Sequence, residues 1–417
     1  MNMIKKEAKH LVKFLEKWIE LDVVYFFKGG AILFTTQFLL VLSSLILSIG
    51  FARLATKELF GQFQFILAIL GALGVLLMPG TNAAVLLGIS QNKEGTLLQG
   101  AWFKFKWSAL LIIGLLLTAA FFYFKHEPRY AQMWPIFLIG IVLYPIVGIF
   151  DVVHTFFAGR REFSKSCAFQ LITEAGSSLT ALATLIFTKN LIYILLAYLL
   201  VKALGMAFAF RFSYRHLKNK TTDPNFASYS YHMSLINFIP YLQLYFDKLI
   251  VTYFLGFTTT AIYAIGIAIA EQLYAISKSV GLLVFPKIAL QQKEKIYVEV
   301  KKRAGLLVLF FAFIAILVVL FIPIIIPFFF SSQYEPAIRI AQLLILVSIP
   351  KAVAFVFSLV QQAYKQQKKL YTINIIYASV EITSLIVLTP LYGLYGVVTA
   401  KALSNIAYLL TAWKSMR

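Results

Sequence analysis

Residues 304–330 read AGLLVLFFAFIAILVVLFIPIIIPFFF, a run of 27 residues without a charged or polar side chain. About 20 mostly apolar residues are enough for an α-helix to cross the hydrocarbon core of a bilayer. The run is also far longer than a transmembrane β-strand, and it lacks the alternation of a barrel strand. It therefore predicts a membrane-spanning helix.

The rest of the chain has the same character. Hydrophobic residues make up 60% of the 417 residues and charged residues 13%, whereas soluble domains carry about a quarter charged residues. Cutting the sequence at its charge clusters leaves twelve apolar segments of sufficient length, which predicts an all-α membrane protein with twelve transmembrane helices. These segments are residues 29–52, 59–87, 106–124, 134–158, 166–187, 191–210, 231–257, 258–286, 304–330, 340–364, 370–390 and 391–413.

Basic residues lie mostly on one side of the predicted helices. Of the 38 Lys and Arg residues, 27 fall in the N-terminal segment, the C-terminal tail and every second loop, and 6 fall in the opposite loops. Lys and Arg gather in cytoplasmic loops, so both termini are predicted to be cytoplasmic. A net charge of +21 would suggest nucleic-acid binding in a soluble protein. Here it is mostly a topology signal, and no nucleic-acid partner is expected.

The chain is predicted to consist of two lobes with short hydrophilic additions. Residues 1–27 place lysines opposite apolar residues at helical spacing, which predicts an amphipathic helix on the cytoplasmic surface and a contact with membrane lipids. Residues 28–210 would form the N-lobe with spans one to six. Residues 211–230, the longest hydrophilic stretch, would be a cytoplasmic linker, and residues 231–417 the C-lobe with spans seven to twelve.

An internal duplication supports this division. QNKE at residues 91–94 recurs as QQKE at 291–294, and KAL at 202–204 recurs at 401–403. Matches in the same order at an offset near 200 predict two six-helix lobes in parallel orientation. Parallel repeats of this kind occur in transporters, where the substrate site lies between the lobes. The duplication places both lobes on one chain, so a monomer is expected.

Three short motifs resemble a known family. They are RLATKELFGQF at residues 53–63, DKLIVTYFLG at 247–256 and PLYGLYGV at 390–397. In this order they resemble Wzx-type polysaccharide flippases of the multidrug/oligosaccharidyl-lipid/polysaccharide exporter superfamily. The resemblance covers the chain from residue 28 onward. It implies a transporter, and not an enzyme, in the inner (cytoplasmic) membrane. The implied cargo is a polyprenyl-pyrophosphate-linked oligosaccharide, such as an O-antigen repeat unit, and a polysaccharide polymerase is a candidate partner.

Two pairs of ionisable residues within the spans are predicted to neutralise each other. A charged residue at the centre of a helix costs about 2.5 to 3.5 kcal/mol on insertion scales, so it must be paired or face water. At about 1.5 Å of rise per residue, Glu174 and Lys202 lie at the same depth on spans five and six. Glu381 and Lys401 repeat this relation on spans eleven and twelve. We predict a structural ion pair in each lobe.

The resemblance also implies that spans one, two, seven and eight line a central cavity. These spans carry the basic residues Lys28, Arg53, Lys248 and Lys278 and the acidic residues Asp247 and Glu271. An excess of positive charge suits a pyrophosphate, so the four basic residues are predicted to bind substrate. The two acidic residues are predicted to couple transport to an ion gradient or to gate it. Alternatively, Lys248 pairs with Glu271, while Lys28 and Arg53 only anchor helix ends.

Other chemistry has little support in the sequence. No Gly-rich nucleotide loop or multi-Cys cluster occurs, so neither a cofactor nor a metal is expected. Asp151 and His154, three residues apart on span four, could form a proton relay. Two other functions remain open. A cation-coupled small-molecule exporter of the same superfamily would need a more acidic cavity, and a membrane glycosyltransferase or ligase would need a large catalytic loop outside the membrane.

Overall fold

The computed structural model describes residues 23–125, 130, 133–289, 291–364 and 366–416, apart from the side chains of residues 23–34, 280, 282–287 and 289. Within these ranges every regular element is helical, which confirms the predicted all-α class. The predicted amphipathic helix at residues 1–27 lies almost wholly outside the described residues and stays a prediction. Backbone groups in a bilayer must be satisfied within the chain, and helices achieve this for each span separately.

Eight helices form the first part of the described chain. They are α1 (Val23–Leu54), α2 (Lys57–Leu73), α3 (Thr81–Ser90), α4 (Thr96–Phe124), α5 (Trp134–Phe150), α6 (Val152–Gly159), α7 (Phe163–Thr188) and α8 (Leu191–Arg215). A 3₁₀ turn over Gly74–Leu77 separates α2 from α3, and Met78 follows it with a φ of 55°. Predicted span two is therefore broken in the middle of its apolar stretch.

Seven helices form the second part. They are α9 (Phe226–Leu255), α10 (Phe257–Ala289), α11 (Lys293–Lys302), α12 (Ala304–Ile325), α13 (Pro336–Val347), α14 (Ile349–Ala363) and α15 (Gln367–Ser415). A π-helical turn over Ile326–Phe330 follows α12. The short helix α11 lies between two long apolar helices, in the region that the sequence predicts to be cytoplasmic.

Ten helical segments among the described residues are long and apolar enough to cross a membrane. One of them is the 49-residue α15, in which Gly393 has a φ of 58° and separates two helices. Glycine adopts this conformation without a β-carbon clash. Helix α9, with 30 residues, is not one of the ten but is long enough to span. Twelve spans would require counting α9 and both parts of α15, so the number twelve and the side of the termini stay predictions.

The two parts of the chain meet along the broken helix pair α2–α3. A β-carbon on Gly61 would come within 1.9 Å of the Phe257 carbonyl oxygen, and one on Gly80 within 2.3 Å of the Ser234 backbone nitrogen. Gly71 lies against the ring of Tyr245 in the same way. Small residues let helices approach closely inside a bilayer. The glycines of α2 and α3 therefore set the distance to α9 and α10.

The linker between α8 and α9 is attached to the first part of the chain. The helices extend into the predicted linker from both ends and leave residues 216–225. The Glu94 carboxylate accepts hydrogen bonds from Arg160 Nε at 2.8 Å and from the Lys218 backbone nitrogen at 2.5 Å. Arg160 also donates to the His216 carbonyl oxygen at 2.6 Å. Burial acts to raise the pKa of Glu94, but Arg160 and the Lys218 N–H together hold it below its ordinary value.

We predict that Glu94→Gln destabilises the protein because it leaves the buried Arg160 guanidinium with the more distant Glu162 carboxylate, at 3.9 Å, in place of Glu94. The expected loss at pH 7 is about 3 to 5 kcal/mol. Ionised Glu94 contributes this stability above the ordinary carboxyl pKa of about 4.3, and the contribution is lost as the pH falls through the lowered pKa. Thermal unfolding of purified protein measures it, with the exposed Glu58→Gln as control. Equal melting temperatures of the two variants at pH 7 would contradict the prediction.

Candidate functional site

A buried polar network centres on Lys401 in α15. Its ammonium nitrogen lies 2.5 Å from Glu381 Oε1 and 2.8 Å from Asp247 Oδ2. Asp247 also accepts a hydrogen bond from the Tyr263 hydroxyl at 2.7 Å, and Glu381 accepts one from Gln243 Nε2 at 2.6 Å. The predicted contact between Glu381 and Lys401 is present, but Asp247 joins it. Asp247 therefore belongs to a network inside the C-lobe. The sequence had instead predicted that it lies beside Lys248 on the wall of the central cavity.

The N-lobe has a simpler version of this arrangement. Lys202 Nζ lies 2.8 Å from Glu174 Oε1, and the two side chains are 18% and 32% exposed. At the offset of 200, the counterpart of Asp247 is Leu47, which packs in the apolar core. A third charged group is therefore missing at this position of the N-lobe. The Glu174–Lys202 pair is instead partly exposed at the protein surface.

Lys248 connects the two lobes. Its ammonium donates to Gln64 Oε1 on α2 at 3.0 Å. The alternative pairing of Lys248 with Glu271 does not occur, and Glu271 is exposed. The described partner of the Lys248 ammonium is therefore a neutral amide, at the contact between α2 and α9.

Two further lysines converge on one aromatic ring. Lys278 Nζ and Lys351 Nζ each lie 4.6 Å from the centroid of the Tyr274 ring. A cation over an aromatic face gains about 0.5 to 2 kcal/mol, which is less than the cost of removing an ammonium from water. Neither lysine has a carboxylate within 4.0 Å among the described side chains. Lys278 and Tyr274 belong to α10, whereas Lys351 comes from α14, a helix that the sequence did not assign to the site.

A small cavity lies between Lys351 and Lys401 of the buried network. Its volume is about 10 Å³, enough for one water molecule at most. Glu271, Tyr274, Lys351 and Lys401 are among its lining residues. Glu271 is the exposed carboxylate nearest to the lysine pair along α10. A change in the charge of Glu271 would therefore alter the field at Lys351.

Arg53 lies at the predicted outer end of α1, where it holds the two lobes together. Its Nε donates to the Phe329 carbonyl oxygen at 2.8 Å, and its Nη2 donates to the Phe328 carbonyl oxygen. Gln333 Nε2 donates to the Ala52 carbonyl oxygen at 2.7 Å. A π turn leaves backbone carbonyls without their usual helical partners, and Arg53 satisfies two of them. The side chain of Lys28, the remaining predicted ligand, lies outside the described side chains.

Asp151 has partners that the sequence did not predict. Its carboxylate accepts hydrogen bonds from Lys104 Nζ and from Asn82 Nδ2, the latter at 3.2 Å. Both ring nitrogens of His154 are buried without a hydrogen-bond partner in the described structure. Lys104 was missed because the predicted third span begins at residue 106, whereas α4 begins at Thr96.

Metal binding has no support in the part of the chain that the structure describes. No group of three or more His, Cys, Asp or Glu side chains is arranged there to hold an ion. Lys104, Gln64 and Lys351 are three polar residues of the spans for which the sequence predicted no partner or role. The signal for each was its polarity within an apolar segment.

Comparisons with known proteins agree with this geometry. The family model described as polysaccharide biosynthesis protein matches residues 26–289. No curated protein sequence matches the chain significantly. This agreement confirms the predicted resemblance to the multidrug/oligosaccharidyl-lipid/polysaccharide (MOP) exporter superfamily.

Several solved structures share the fold. The lipid II flippase MurJ in an inward closed conformation has 16% identity and a TM-score of 0.75, with 91% of this chain and 86% of that chain covered. An outward-facing multidrug resistance MATE family transporter of the MOP superfamily has 13% identity and a TM-score of 0.65, with 94% of both chains covered. A MOP superfamily transporter from Pyrococcus furiosus, described as having a binding pocket of reverse polarity, has 12% identity and a TM-score of 0.62, with 94% of this chain and 95% of that chain covered. At these identities the similarity concerns the fold alone.

We predict that Lys401→Met destabilises the protein more than Lys202→Met does. The first change leaves two buried carboxylates without a counter-ion, which costs about 3 to 5 kcal/mol. The second leaves a single carboxylate, which is 32% exposed, so its cost is smaller. Thermal unfolding of both variants in detergent measures the difference. Equal decreases in melting temperature would show that Lys401 is not needed to compensate the charge of Asp247.

We predict that Arg53→Ala separates the lobes at the outer end of α1. Spin labels at the exposed residues Leu54 and Phe328, in a Cys167→Ala background, report this separation by electron paramagnetic resonance. Arg53→Ala should shift the distance distribution to longer values because two inter-lobe hydrogen bonds are lost. The exposed Arg339→Ala is the charge-matched control and should leave the distribution unchanged. We call the Arg53 bonds to Phe328 and Phe329 the Arg53 latch. An unchanged distribution for Arg53→Ala would show that these bonds do not hold the lobes together.

Proposed function

Because the chain belongs to the polysaccharide biosynthesis protein family, we propose that it flips a lipid-linked oligosaccharide across the inner (cytoplasmic) membrane. The proposed cargo is a polyprenyl pyrophosphate that carries an O-antigen or similar surface polysaccharide repeat unit. The chain acts as a transporter and not as an enzyme. The match to the MurJ flippase and MATE transporter folds supports this class of activity.

The observation that carries the proposal is the pair of ammonium groups at Tyr274. Lys278 and Lys351 repel each other across one neutral ring, and neither has a carboxylate within ion-pair distance among the described residues. A pyrophosphate would neutralise both and would accept charge-assisted hydrogen bonds from them. Lys248 at the lobe interface adds a third positive charge, whose described hydrogen bond goes to the neutral Gln64 amide.

The two predicted acidic residues take different parts in this mechanism. Asp247 is held by Lys401 and Tyr263, so its charge is already compensated. Glu271 is exposed and adjoins Lys351 across the small cavity. We propose that Glu271, and not Asp247, is the acidic residue that gates the site or couples it to an ion gradient.

Alternating access supplies the movement. Arg53 and Gln333 hold the outer ends of the lobes together in the present structure, so the headgroup would enter from the cytoplasmic side. The polyprenyl tail would stay in lipid at a gap between the lobes. Release of the Arg53 latch would then open the outer side. Both lobes lie on one chain, so we propose a monomer that works beside a polysaccharide polymerase.

The charge of the site separates the proposal from its main alternative. A cation-coupled small-molecule exporter would need negative groups free to meet its cargo. At the Tyr274 site of the described structure, one carboxylate, Glu271, shares the small cavity with Lys351, and Asp247 is paired with Lys401. The excess of positive charge at this site favours an anionic cargo. A glycosyltransferase would need a catalytic loop outside the membrane, and the linker at residues 216–225 is occupied by structural contacts with Glu94 and Arg160.

We predict that Lys278→Gln and Lys351→Gln each reduce flipping, and that the double variant nearly abolishes it. A hydrogen bond to a charged group contributes about 1.5 to 3 kcal/mol, which corresponds to roughly a 10- to 100-fold loss for each lysine. Surface polysaccharide is measured in cells at matched protein levels, together with lipid-linked glycan on the cytoplasmic side. The glycan should accumulate there as surface polysaccharide falls.

Two controls accompany this experiment. Lys302→Gln removes one exposed lysine from α11, away from Tyr274, and should leave surface polysaccharide unchanged. Tyr274→Phe keeps the ring and should retain activity, whereas Tyr274→Leu should lower it. Normal surface polysaccharide in the Lys278→Gln/Lys351→Gln double variant would refute the proposed function.

A further inference from the structure

The short helix α11 is fixed to the end of the C-lobe that is predicted to be cytoplasmic. Its buried face consists of Ile296 and Tyr297. The Tyr297 hydroxyl donates to Gln361 Oε1 on α14 at 2.7 Å, and Gln361 Nε2 donates to Ser415 Oγ on α15 at 3.0 Å. Three helices are thus joined by one chain of hydrogen bonds. The side chains around Tyr297 consequently have fixed positions.

Three lysines from two of these helices surround this point. Lys293 Nζ lies 5.4 Å and Lys369 Nζ 5.7 Å from the centroid of the Tyr297 ring. Lys301 Nζ lies 5.8 Å from the ring of Trp413. All three lysines are half-buried, and Lys369 also donates to the Ser415 carbonyl oxygen. Three ammonium groups are therefore held over two aromatic rings on one face of the C-lobe.

The acidic residues of α11 do not balance this charge. Glu299 forms an ion pair with Arg303 at 2.7 Å. Glu294 is exposed, and α11 also carries the exposed Lys295 and Lys302. Among the described residues of α11, one carboxylate therefore remains against four lysines. The face stays strongly positive.

Exposed apolar side chains occur on the spans next to these lysines. Leu306 on α12 is 66% exposed and Leu410 on α15 is 62% exposed. Trp413, at 37% exposure, lies in the last turn of α15, which the bond from Lys369 to Ser415 brings beside the first turn. Trp is typical of the membrane interface, and large exposed Leu residues of a span face acyl chains. A ligand on this face would meet positive charge at one end and apolar surface at the other.

We propose that Lys293, Lys301 and Lys369, with Tyr297 and Trp413, form a binding site for the phosphate group of an anionic phospholipid in the cytoplasmic leaflet. The phosphate would lie among the ammonium groups, and the acyl chains would lie along Leu306 and Leu410. Anionic lipids attract lysines near the membrane surface. A bound phospholipid would bridge α11 and α15 and stabilise the C-lobe. The site uses C-lobe residues that take no part in the proposed transport site at Tyr274.

The test is a lipid titration of the purified, full-length protein in detergent. Phosphatidylglycerol, phosphatidylcholine and inorganic phosphate are added separately, and the melting temperature and the lipid adducts seen by native mass spectrometry are recorded. Phosphatidylglycerol should bind and raise the melting temperature. The variant Lys293→Gln/Lys301→Gln/Lys369→Gln should bind it about 100-fold more weakly. The corresponding triple Arg variant keeps the charges and should bind like the wild type.

A matched control removes the same number of charges from the same region. Lys295→Gln/Lys302→Gln/Lys368→Gln changes three exposed lysines and should retain phosphatidylglycerol binding. An equal loss in this control would overturn the proposal, because the attraction would then be diffuse. So would an equal shift with phosphatidylcholine or with inorganic phosphate, or a triple Gln variant that still binds phosphatidylglycerol. Should the triple Gln variant fail to fold, a triple Arg variant without binding would overturn the site. Lys278→Gln/Lys351→Gln should leave lipid binding intact, so this result is separable from that for transport.

Discussion

The cost of placing charge inside a bilayer governs this structure. Lys401 meets that cost with two carboxylates, Lys202 with one carboxylate and partial exposure to solvent, and Lys104 with Asp151. Lys278 and Lys351 differ, because their described neighbours include an aromatic ring but no carboxylate at ion-pair distance. Lysines that the fold leaves uncompensated are the ones that an anionic cargo can bind. Within the C-lobe, Lys401 is thus a structural charge, whereas Lys278 and Lys351 are the charges proposed to bind substrate.

Close packing determines how the lobes can move. Glycines on α2 and α3 bring these helices against α9 and α10, and a side chain at Gly61 or Gly80 would force them apart. The linker is bonded to the N-lobe through Glu94 and Arg160. Movement of the lobes is therefore expected at contacts that can exchange partners, of which the Arg53 bonds to backbone carbonyls are the clearest.

The sequence predicted the features that depend on position along a helix. Apolar runs predicted the helices, and equal depth on neighbouring spans predicted the contact between Glu174 and Lys202. Lateral contacts were harder to predict. Depth alone did not show that Asp247 turns toward Lys401, or that Lys351 shares a ring with Lys278. The partner role of Lys104 has a different reason for being missed. The predicted third span begins at residue 106, after Lys104, whereas helix α4 begins at Thr96 and continues through Lys104. Arg53 was predicted to bind substrate, and its observed bonds to carbonyls could not be read from a sequence that gives no sign of the π turn.

The central claim is that a pyrophosphate binds to the uncompensated lysines Lys278 and Lys351 of the C-lobe. Native mass spectrometry of the purified protein with polyprenyl pyrophosphate and with the uncharged polyprenol tests it most directly. The account predicts that the pyrophosphate binds, that polyprenol does not, and that Lys278→Gln/Lys351→Gln removes the difference. Equal binding of both lipids to the wild-type protein, or unchanged pyrophosphate binding by the double variant, would contradict it.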